Sequence, residues 1–460
     1  MTLDFDLDGF IREKVTKRER SLLAADFERY DAELHARIDG KRVLVIGGAG
    51  TIGSNYIKAI LRFNVAALYV VDINENGLTE LVRDLRSAGE ARIPQEFVTY
   101  PVNFGDRVFA KLFRAHGPFD IVANFAAHKH VRSEKDIFSI EAMLENNVLR
   151  ARGLLELLTE APPQHFFCVS TDKAANPVNI MGASKKLMEE LIMAYADRIP
   201  IKTARFANVA FSNGSLPLGF LERLFKRQPW ACPLGIRRFF VSPQESGELC
   251  LMASVMGESG DIVFPKLDED RDMIPFEQVA VDLLHALGLE PDVCASEAEA
   301  REKCRRSALV HRCGSALVDE TEAGGRRPEG GETVGNTQPA TGSGISSGIP
   351  TLSTYALMNS RTNERSSWPV YFFESDTSGE KTFEEFYTPG EALDNEKFVN
   401  LGVVKNAKRR GLAEIDAIFE ALRALFESKD VTKAKVVEVL RDYLPNFAHI
   451  ETGKGLDQKM

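Results

Sequence analysis

Arg42-Val43-Leu44-Val45-Ile46-Gly47-Gly48-Ala49-Gly50-Thr51-Ile52-Gly53 is the stretch on which the fold turns. A short apolar run suited to a buried strand passes directly into glycines at Gly47, Gly50 and Gly53. Such glycines allow a tight turn, let backbone N–H groups approach a pyrophosphate, and leave room for a helix to pack closely on the strand. A second apolar run, Ala67-Leu68-Tyr69-Val70-Val71, ends in Asp72, nineteen residues after Gly53. An acid there can bond the ribose hydroxyls of NAD and would repel a 2′-phosphate. Strand, glycines, helix, strand and acid in this order predict a dinucleotide-binding unit.

Downstream, Ser170-Thr171-Asp172-Lys173 follows another apolar run and precedes Met181-Gly182-Ala183-Ser184-Lys185. An acid and an amine are consecutive at the expected end of a strand. Met181 stands one helical turn before Lys185, and a thioether has no proton to exchange. Either this region moves no proton, or the proton chemistry lies with Asp172 and Lys173.

Composition is that of an ordinary soluble enzyme. The 460 residues are 44% hydrophobic and 27% charged, with net charge −10. The acidic balance does not suggest a nucleic-acid surface. No apolar run approaches the ~20 residues of a membrane span, and the N-terminus is too charged for a signal peptide. The six cysteines show no paired C-x-x-C spacing, and Cys168 and Cys250 lie in apolar segments, as reduced core thiols do. His128 has no ligand partner at metal spacing, so no metal is expected. A cytoplasmic location is the default expectation.

The chain divides by pattern. Residues 1–40 carry apolar residues near helical spacing and predict a helical N-terminal extension. Residues 41–212 alternate apolar strands (42–46, 67–71, 97–102, 120–124, 165–169, 201–205) with amphipathic helices, the pattern of a parallel sheet covered on both faces. The fold class is α/β: a Rossmann-type doubly wound parallel sheet, with a smaller C-terminal substrate lobe over 213–293 and 368–400 and extra terminal helices. Residues 294–367 are expected to form a polar, largely flexible insertion; Thr321 to Pro350 alone hold eight Gly, three Pro and seven Ser or Thr. Residues 401–460 are expected to be a helical tail, with two amphipathic helices around Asp430.

Taken together, these segments resemble the nucleotide-sugar 4,6-dehydratases of bacterial polysaccharide synthesis, extended short-chain dehydrogenases/reductases typified by UDP-N-acetylglucosamine 4,6-dehydratase. The resemblance rests on Gly47 to Gly53, Ala126-Ala127-His128-Lys129-His130-Val131, Asn146-Asn147-Val148, Thr171-Asp172-Lys173-Ala174, Asn176-Pro177-Val178-Asn179, and Arg205-Phe206-Ala207-Asn208-Val209. Gly214-Ser215, Arg238-Phe239-Phe240 and Gly379-Glu380-Lys381 extend it, so that it covers about 41–290 and 369–390. Met181 occupies the place of the usual tyrosine, as in one branch of the family. Most Met-containing relatives carry a membrane-spanning N-terminal region. This sequence shows no such span and is similar to soluble dehydratases feeding legionaminic-acid or bacillosamine-type sugars.

The resemblance implies NAD as cofactor, a nucleotide-sugar substrate, and a homo-oligomer as the assembly. Gly47, Gly50, Thr51, Ile52, Gly53, Asp72, Asn74, Asn103, Ala126, Ala127 and Lys185 would line the cofactor. Lys129, His130, Asn208, Ser215 and Arg238 would meet the substrate, Arg238 by its planar fork on a diphosphate. Thr171 would bond the sugar C4 hydroxyl, Asp172 would be the acid for the departing C6 hydroxyl, Lys173 the base at C5, and Lys185 the holder of the nicotinamide ribose. Met181 would pack near the sugar. Two alternatives stay open: a nucleotide-sugar 4-epimerase, and a non-catalytic NAD-binding regulatory or scaffold protein.

Overall fold

The computed structural model describes residues 5–89, 91–129, 134–306, 366–374, 381, 383 and 385–451. Its strands in chain order begin with β1 (Arg42–Ile46), β2 (Ala67–Asp72), β3 (Glu96–Pro101), β4 (Ile121–Asn124), β5 (His165–Val169) and β6 (Ile201–Ala204). They continue with β7 (Asn208–Val209), β8 (Trp230–Leu234), β9 (Arg237–Val241), β10 (Asp261–Pro265), β11 (Met273–Pro275) and β12 (Glu290–Cys294). The last are β13 (Ser367–Glu374), β14 (Leu393–Asp394) and β15 (Leu401–Val404). The six strands expected from the apolar runs all form, each with ends within one residue of the expected ones.

The main sheet has nine strands in the order β14-β15-β10-β6-β5-β4-β1-β2-β3. From β10 to β3 all neighbours are parallel; β15 and β14 close the far edge antiparallel. Strands β1 and β4 are buried along almost their whole length, which is why their sequences are continuous apolar runs rather than alternating ones. Reversal of strand order between β1 and β4 opens a crevice at the carboxyl ends of these strands, the place where doubly wound sheets bind ligands.

A smaller lobe carries two three-stranded sheets, β11-β9-β7 and β12-β13-β8. It has its own core, including Phe220, Trp230, Phe240, Leu283 and Val370, and the N-terminal residues Phe10, Ile11 and Val15 are part of that core. The N-terminal helix Ala24–Ile38 instead buries Leu34 and Ile38 in the main core. Arg18 clamps Glu245 with two hydrogen bonds of 2.7 and 2.8 Å, tying the N-terminal segment to the Pro243–Met256 helix.

The C-terminal third differs from the sequence expectation. Residues 401–404 do not begin a helical tail: Leu401-Gly402-Val403-Val404 is fully buried in the main sheet, paired with β10. Gly402 permits this, since a Cβ there would lie 2.3 Å from the Phe264 ring. Within 368–400, β13 joins the small lobe, but Phe386, Phe398 and β14 belong to the main core and sheet. Residues 294–306 of the expected polar insertion are ordered: Cys294 ends β12, and a helix over 297–306 buries Ala300 and Cys304. The Gly-rich stretch Thr321–Pro350 lies outside the described residues. The two expected terminal helices form at Leu412–Glu427 and Lys433–Tyr443. No helix among the described residues is long and apolar enough to cross a membrane.

Candidate functional site

The glycine loop leaves β1 with Gly47 at φ +77°, in the left-handed region that favours glycine. A Cβ on Gly47 would lie 2.5 Å from the Ala126 backbone nitrogen, and one on Gly53 would lie 2.3 Å from the Gly47 oxygen. Loop, β4 end and helix therefore meet closer than any side chain would allow. Gly50 caps the Thr51–Ile60 helix without a side-chain acceptor, so its first N–H groups face the crevice end of the sheet, where an anion is favoured. Thr51 Oγ1 accepts from Asn213 N at 3.0 Å and ties this loop to the start of the small lobe.

Asp72 ends β2 beside this loop. Its carboxylate accepts from Ala49 N at 3.0 Å and from Asn74 N at 2.9 Å. An ionised carboxylate has about four acceptor positions, so room remains for two ribose hydroxyls. Asn74 caps the Glu75–Ser87 helix through Gly77 N, and Asn103 holds a turn through Gly105 N. Ala126 and Ala127 continue from β4, with Ala126 N bonded to Asn124 Oδ1. The residues present fit a dinucleotide: a side-chain-free cradle, a helix N-terminus and an acid at the next strand end.

At the end of β5, Thr171, Asp172 and Lys173 enter a short 3₁₀ turn. Asp172 Oδ1 accepts from Thr171 Oγ1 at 2.7 Å, from Lys173 N at 2.8 Å and from Lys173 Nζ at 3.0 Å. The Asp172 side chain is only 3% exposed and that of Lys173 18%. Acid, amine and hydroxyl thus converge on one oxygen at the carboxyl edge of the sheet.

The Ile180–Met193 helix runs behind this turn, capped by Asn179 on Gly182 N. Met181 and Lys185 are both buried on it. Lys185 Nζ donates to Val169 O at 2.7 Å and contacts Met188 Sδ at 3.5 Å, leaving one of its three N–H groups for another acceptor. Burial lowers the Lys185 pKa, against the opposing influence of Cys168 and Glu189. Burial also pushes the neighbouring Cys168 thiol up to about 11, which keeps it protonated and inert.

The expected substrate residues are spread over several elements. Asn208 lies in β7, and its buried Nδ2 has no hydrogen-bond partner among the described residues. An orphaned buried amide is costly, and a ligand group would satisfy it. Ser215 caps the Leu216–Phe225 helix. Arg238 is buried in β9, where Nη1 donates to the carbonyls of Arg237 and Lys381 at 2.9 and 3.0 Å. Lys129 is exposed beyond β4. His130 lies outside the described residues, as do Gly379 and Glu380.

Two polar residues at the centre carried little signal in sequence. Asn147 brackets His128, accepting from its N at 2.8 Å and donating to its O at 2.9 Å, and also donates to Ser184 Oγ at 3.0 Å. It locks the segment after β4 to the Met181 helix. Its only sequence mark was the Asn146-Asn147-Val148 run. Arg205, fully buried, bonds Glu189 twice at 2.8 and 2.9 Å and Glu391 at 2.9 Å. Burial opposes the Arg205 charge, but the two carboxylates overcome it and its pKa is raised. Among the described residues no group of three His, Cys, Asp or Glu is placed to hold a metal.

A family profile described as "Polysaccharide biosynthesis protein" matches residues 43–308, more than half of the chain. The chain belongs to this polysaccharide biosynthesis protein family. It is 34% identical over 259 residues to the "Uncharacterized membrane protein MJ1061" of Methanocaldococcus jannaschii, an alignment covering 55% of this chain and 74% of that protein. It is 28% identical over 260 residues to the "Probable polysaccharide biosynthesis protein EpsC" of Bacillus subtilis, covering 56% of this chain and 42% of that one. A "UDP-glucose 4-epimerase" of Rickettsia bellii is 29% identical over 233 residues, with coverage of 49% and 66%. The chain thus spans less than half the length of the EpsC relative. Within the family match lie Gly47 to Gly53, Asp72, Asp172, Lys173, Met181, Lys185, Asn208 and Arg238; residues 366–451, including β13 to β15 and both terminal helices, lie beyond it.

Proposed function

We propose that this polysaccharide biosynthesis protein uses NAD to modify a nucleotide-activated sugar, and that the reaction is 4,6-dehydration of an N-acetylhexosamine, most simply UDP-GlcNAc, to a 4-keto-6-deoxy sugar. The observation that carries this reading is the partly buried Asp172–Lys173 pair at 3.0 Å, beside a helix with Met181 in place of a proton-carrying residue. Dehydration needs an acid and a base at adjacent carbons; simple epimerisation at C4 needs neither.

NAD would supply reversible hydride transfer, taking hydride from C4 and returning it to C6 without net consumption. The loop from Gly47 to Gly53 and the first amides of the Thr51–Ile60 helix would hold its pyrophosphate. Asp72 would take the adenosine ribose, and Lys185 the nicotinamide ribose. Asn208 and Arg238 would receive the nucleotide diphosphate end of the sugar.

The proton steps fall to the end of β5. Thr171 orients the C4 hydroxyl. In the resting ion pair Asp172 is anionic and Lys173 cationic. Passing one proton across their 3.0 Å contact converts the pair into a carboxylic acid and a free amine. That form is the reactive one: the Lys173 amine removes the C5 proton once C4 is a ketone, and the Asp172 carboxyl protonates the leaving C6 hydroxyl. When hydride returns to C6, the Lys173 ammonium gives its proton back to C5, and the proton that the C4 hydroxyl released to water on oxidation recharges the pair.

A second reading, 4-epimerisation, draws support from the Rickettsia relatives named UDP-glucose 4-epimerase, at 29–30% identity. Incubation of the purified protein with UDP-GlcNAc and with UDP-glucose, with mass analysis of the products, separates the readings. Loss of one water supports dehydration. A galacto isomer of unchanged mass supports epimerisation. No conversion of any nucleotide sugar in a UDP, GDP and dTDP panel would sink both and favour a binding role.

A further inference from the structure

The chain returns to the candidate centre at its C-terminal end. After the Lys433–Tyr443 helix, Ala448 N donates to Pro177 O at 3.1 Å and Ile450 N donates to Val178 O at 3.0 Å. These bonds fasten the tail to the loop that joins Lys173 to the Met181 helix. Between them His449 turns inward; its side chain is 6% exposed and its Nε2 lies 3.3 Å from Glu134 Oε2. The other oxygen, Oε1, accepts from the Met181 backbone nitrogen at 3.1 Å. Lys433 Nζ stands 3.8 Å from the same Glu134 carboxylate and 2.5 Å from Glu451.

The physical sense of this arrangement lies in the first turn of the Ile180–Met193 helix. The leading N–H groups of a helix have no partner within it. Asn179 satisfies Gly182 N, and Glu134, from a different segment, satisfies Met181 N. A carboxylate is favoured at this end of a helix, but a buried carboxylate also needs partners for its remaining acceptor positions. His449 and Lys433 supply them from residues beyond the matched family region. The consequence reaches the reaction centre, because Met181 and Lys185 lie one turn apart on the same helix face. A tyrosine at 181 could anchor itself through its hydroxyl. Methionine has no such donor, so the placement of this turn depends on its backbone contacts.

We infer that His449, acting through Glu134, is a positioning residue for the candidate catalytic centre, and that the C-terminal tail is a working part of the site rather than an appendage. The inference rests on the assignment of Met181 and Lys185 to the reaction centre.

The test compares His449→Ala, His449→Gln and Glu134→Gln in the full-length protein. Glutamine at 449 retains a donor for Glu134; alanine does not. His449→Ala is expected to lower kcat by about 10- to 100-fold, as small misplacements of catalytic groups do, while KM for the nucleotide sugar changes by less than about 2-fold. His449→Gln should restore most of that loss. Glu134→Gln, which keeps the shape but removes the charge assistance, should lower kcat by about 5-fold. Amide hydrogen exchange over residues 180–185 is the readout independent of turnover: it should quicken in His449→Ala and return toward wild type in His449→Gln. Equal kcat and equal exchange in all three variants would overturn the inference, as would failure of glutamine to rescue. If His449→Ala does not fold, Glu134→Gln decides: a wild-type kcat and wild-type exchange over 180–185 overturn the proposal. If the wild type converts no nucleotide sugar, the dehydration reading fails, and exchange alone decides the positioning role.

Discussion

Lys173 Nζ sits 3.0 Å from Asp172 Oδ1, and the same oxygen accepts from Thr171 Oγ1 and from the Lys173 backbone nitrogen. Chain neighbours rarely form a buried ion pair, because consecutive side chains usually diverge. Here the short turn after β5 folds the lysine back over its own N–H. An acid and an amine share one oxygen at the mouth of the crevice, and the first prediction follows from that sharing.

Lys173→Met should remove general-base assistance at C5, worth about 10²- to 10⁴-fold in turnover, with nucleotide binding little changed. Asp172→Asn should lose the acid step and also the resting partner of Lys173. Met181→Leu should keep most activity, since the swap nearly conserves volume and typically costs under about 1.5 kcal/mol. Exchange of the C5 proton for deuterium is the direct measurement. Wild-type exchange in Lys173→Met would remove that lysine from the base role, and a folded but inactive Met181→Leu would give the methionine more than a packing role.

Gly53→Ala should empty the cofactor cradle. The added Cβ would lie 2.3 Å from Gly47 O and 2.9 Å from Gly48 Cα, both backbone atoms, so relief requires the loop itself to move. The wild-type protein, denatured after purification, is expected to release NAD or NADH, whereas the variant should release little. NADP in the wild-type extract would overturn the role of Asp72, and full nucleotide content in the variant would show that the loop is not the pyrophosphate cradle.

Glu189→Gln should be expensive in stability. Glu189 is buried and holds Arg205 with two bonds, and it also accepts from Ser170 Oγ at 2.6 Å. Breaking one partner of a buried pair leaves charge uncompensated and costs about 3 kcal/mol or more. Urea unfolding measures it, and a change below about 1 kcal/mol would show that Glu391 alone suffices for Arg205.

Stability should fall with acid through His165. This residue starts β5, where Lys202 Nζ lies 3.0 Å from its Nδ1. Burial first, then the charges of Lys202, Arg37 and Lys41, push its pKa down to about 3 from the ordinary 6.5. The folded state therefore holds it neutral while the unfolded chain protonates it below about 6.5. Its contribution is complete above that pH and is lost as pH falls toward 3, at no more than about 1.4 kcal/mol per pH unit. Wild-type unfolding free energy should drop between pH 7 and pH 5 by more than that of His165→Gln. Parallel losses in the two proteins would exclude His165 as the source.

Much of the molecule was legible along the chain. The order of strands β1 to β6 followed from continuous apolar runs, and the glycine spacing with Asp72 marked the crevice. The terminal helices followed from periodicity around Asp430. Less legible was the segment after the polar stretch: Leu401-Gly402-Val403-Val404 is too short for periodicity to separate strand from helix, and only pairing with β10 made it a strand. Asn208 and Arg238 were named in advance, but their surroundings were not. The Lys381 carbonyl on Arg238, 143 residues away along the chain, depends on tertiary packing.

By itself, the sequence determined the doubly wound unit, the glycine loop followed by Asp72, and the Thr171-Asp172-Lys173 cluster, because each rests on residues a few positions apart, whose turn geometry and side-chain spacing are local. Tertiary structure alone decided that Asp172 and Lys173 share an oxygen, that β15 closes the main sheet, and that Glu134 and His449, 315 residues apart, meet at the Met181 turn. A lone glutamate or histidine has many possible partners, and only the packing of distant elements selects one.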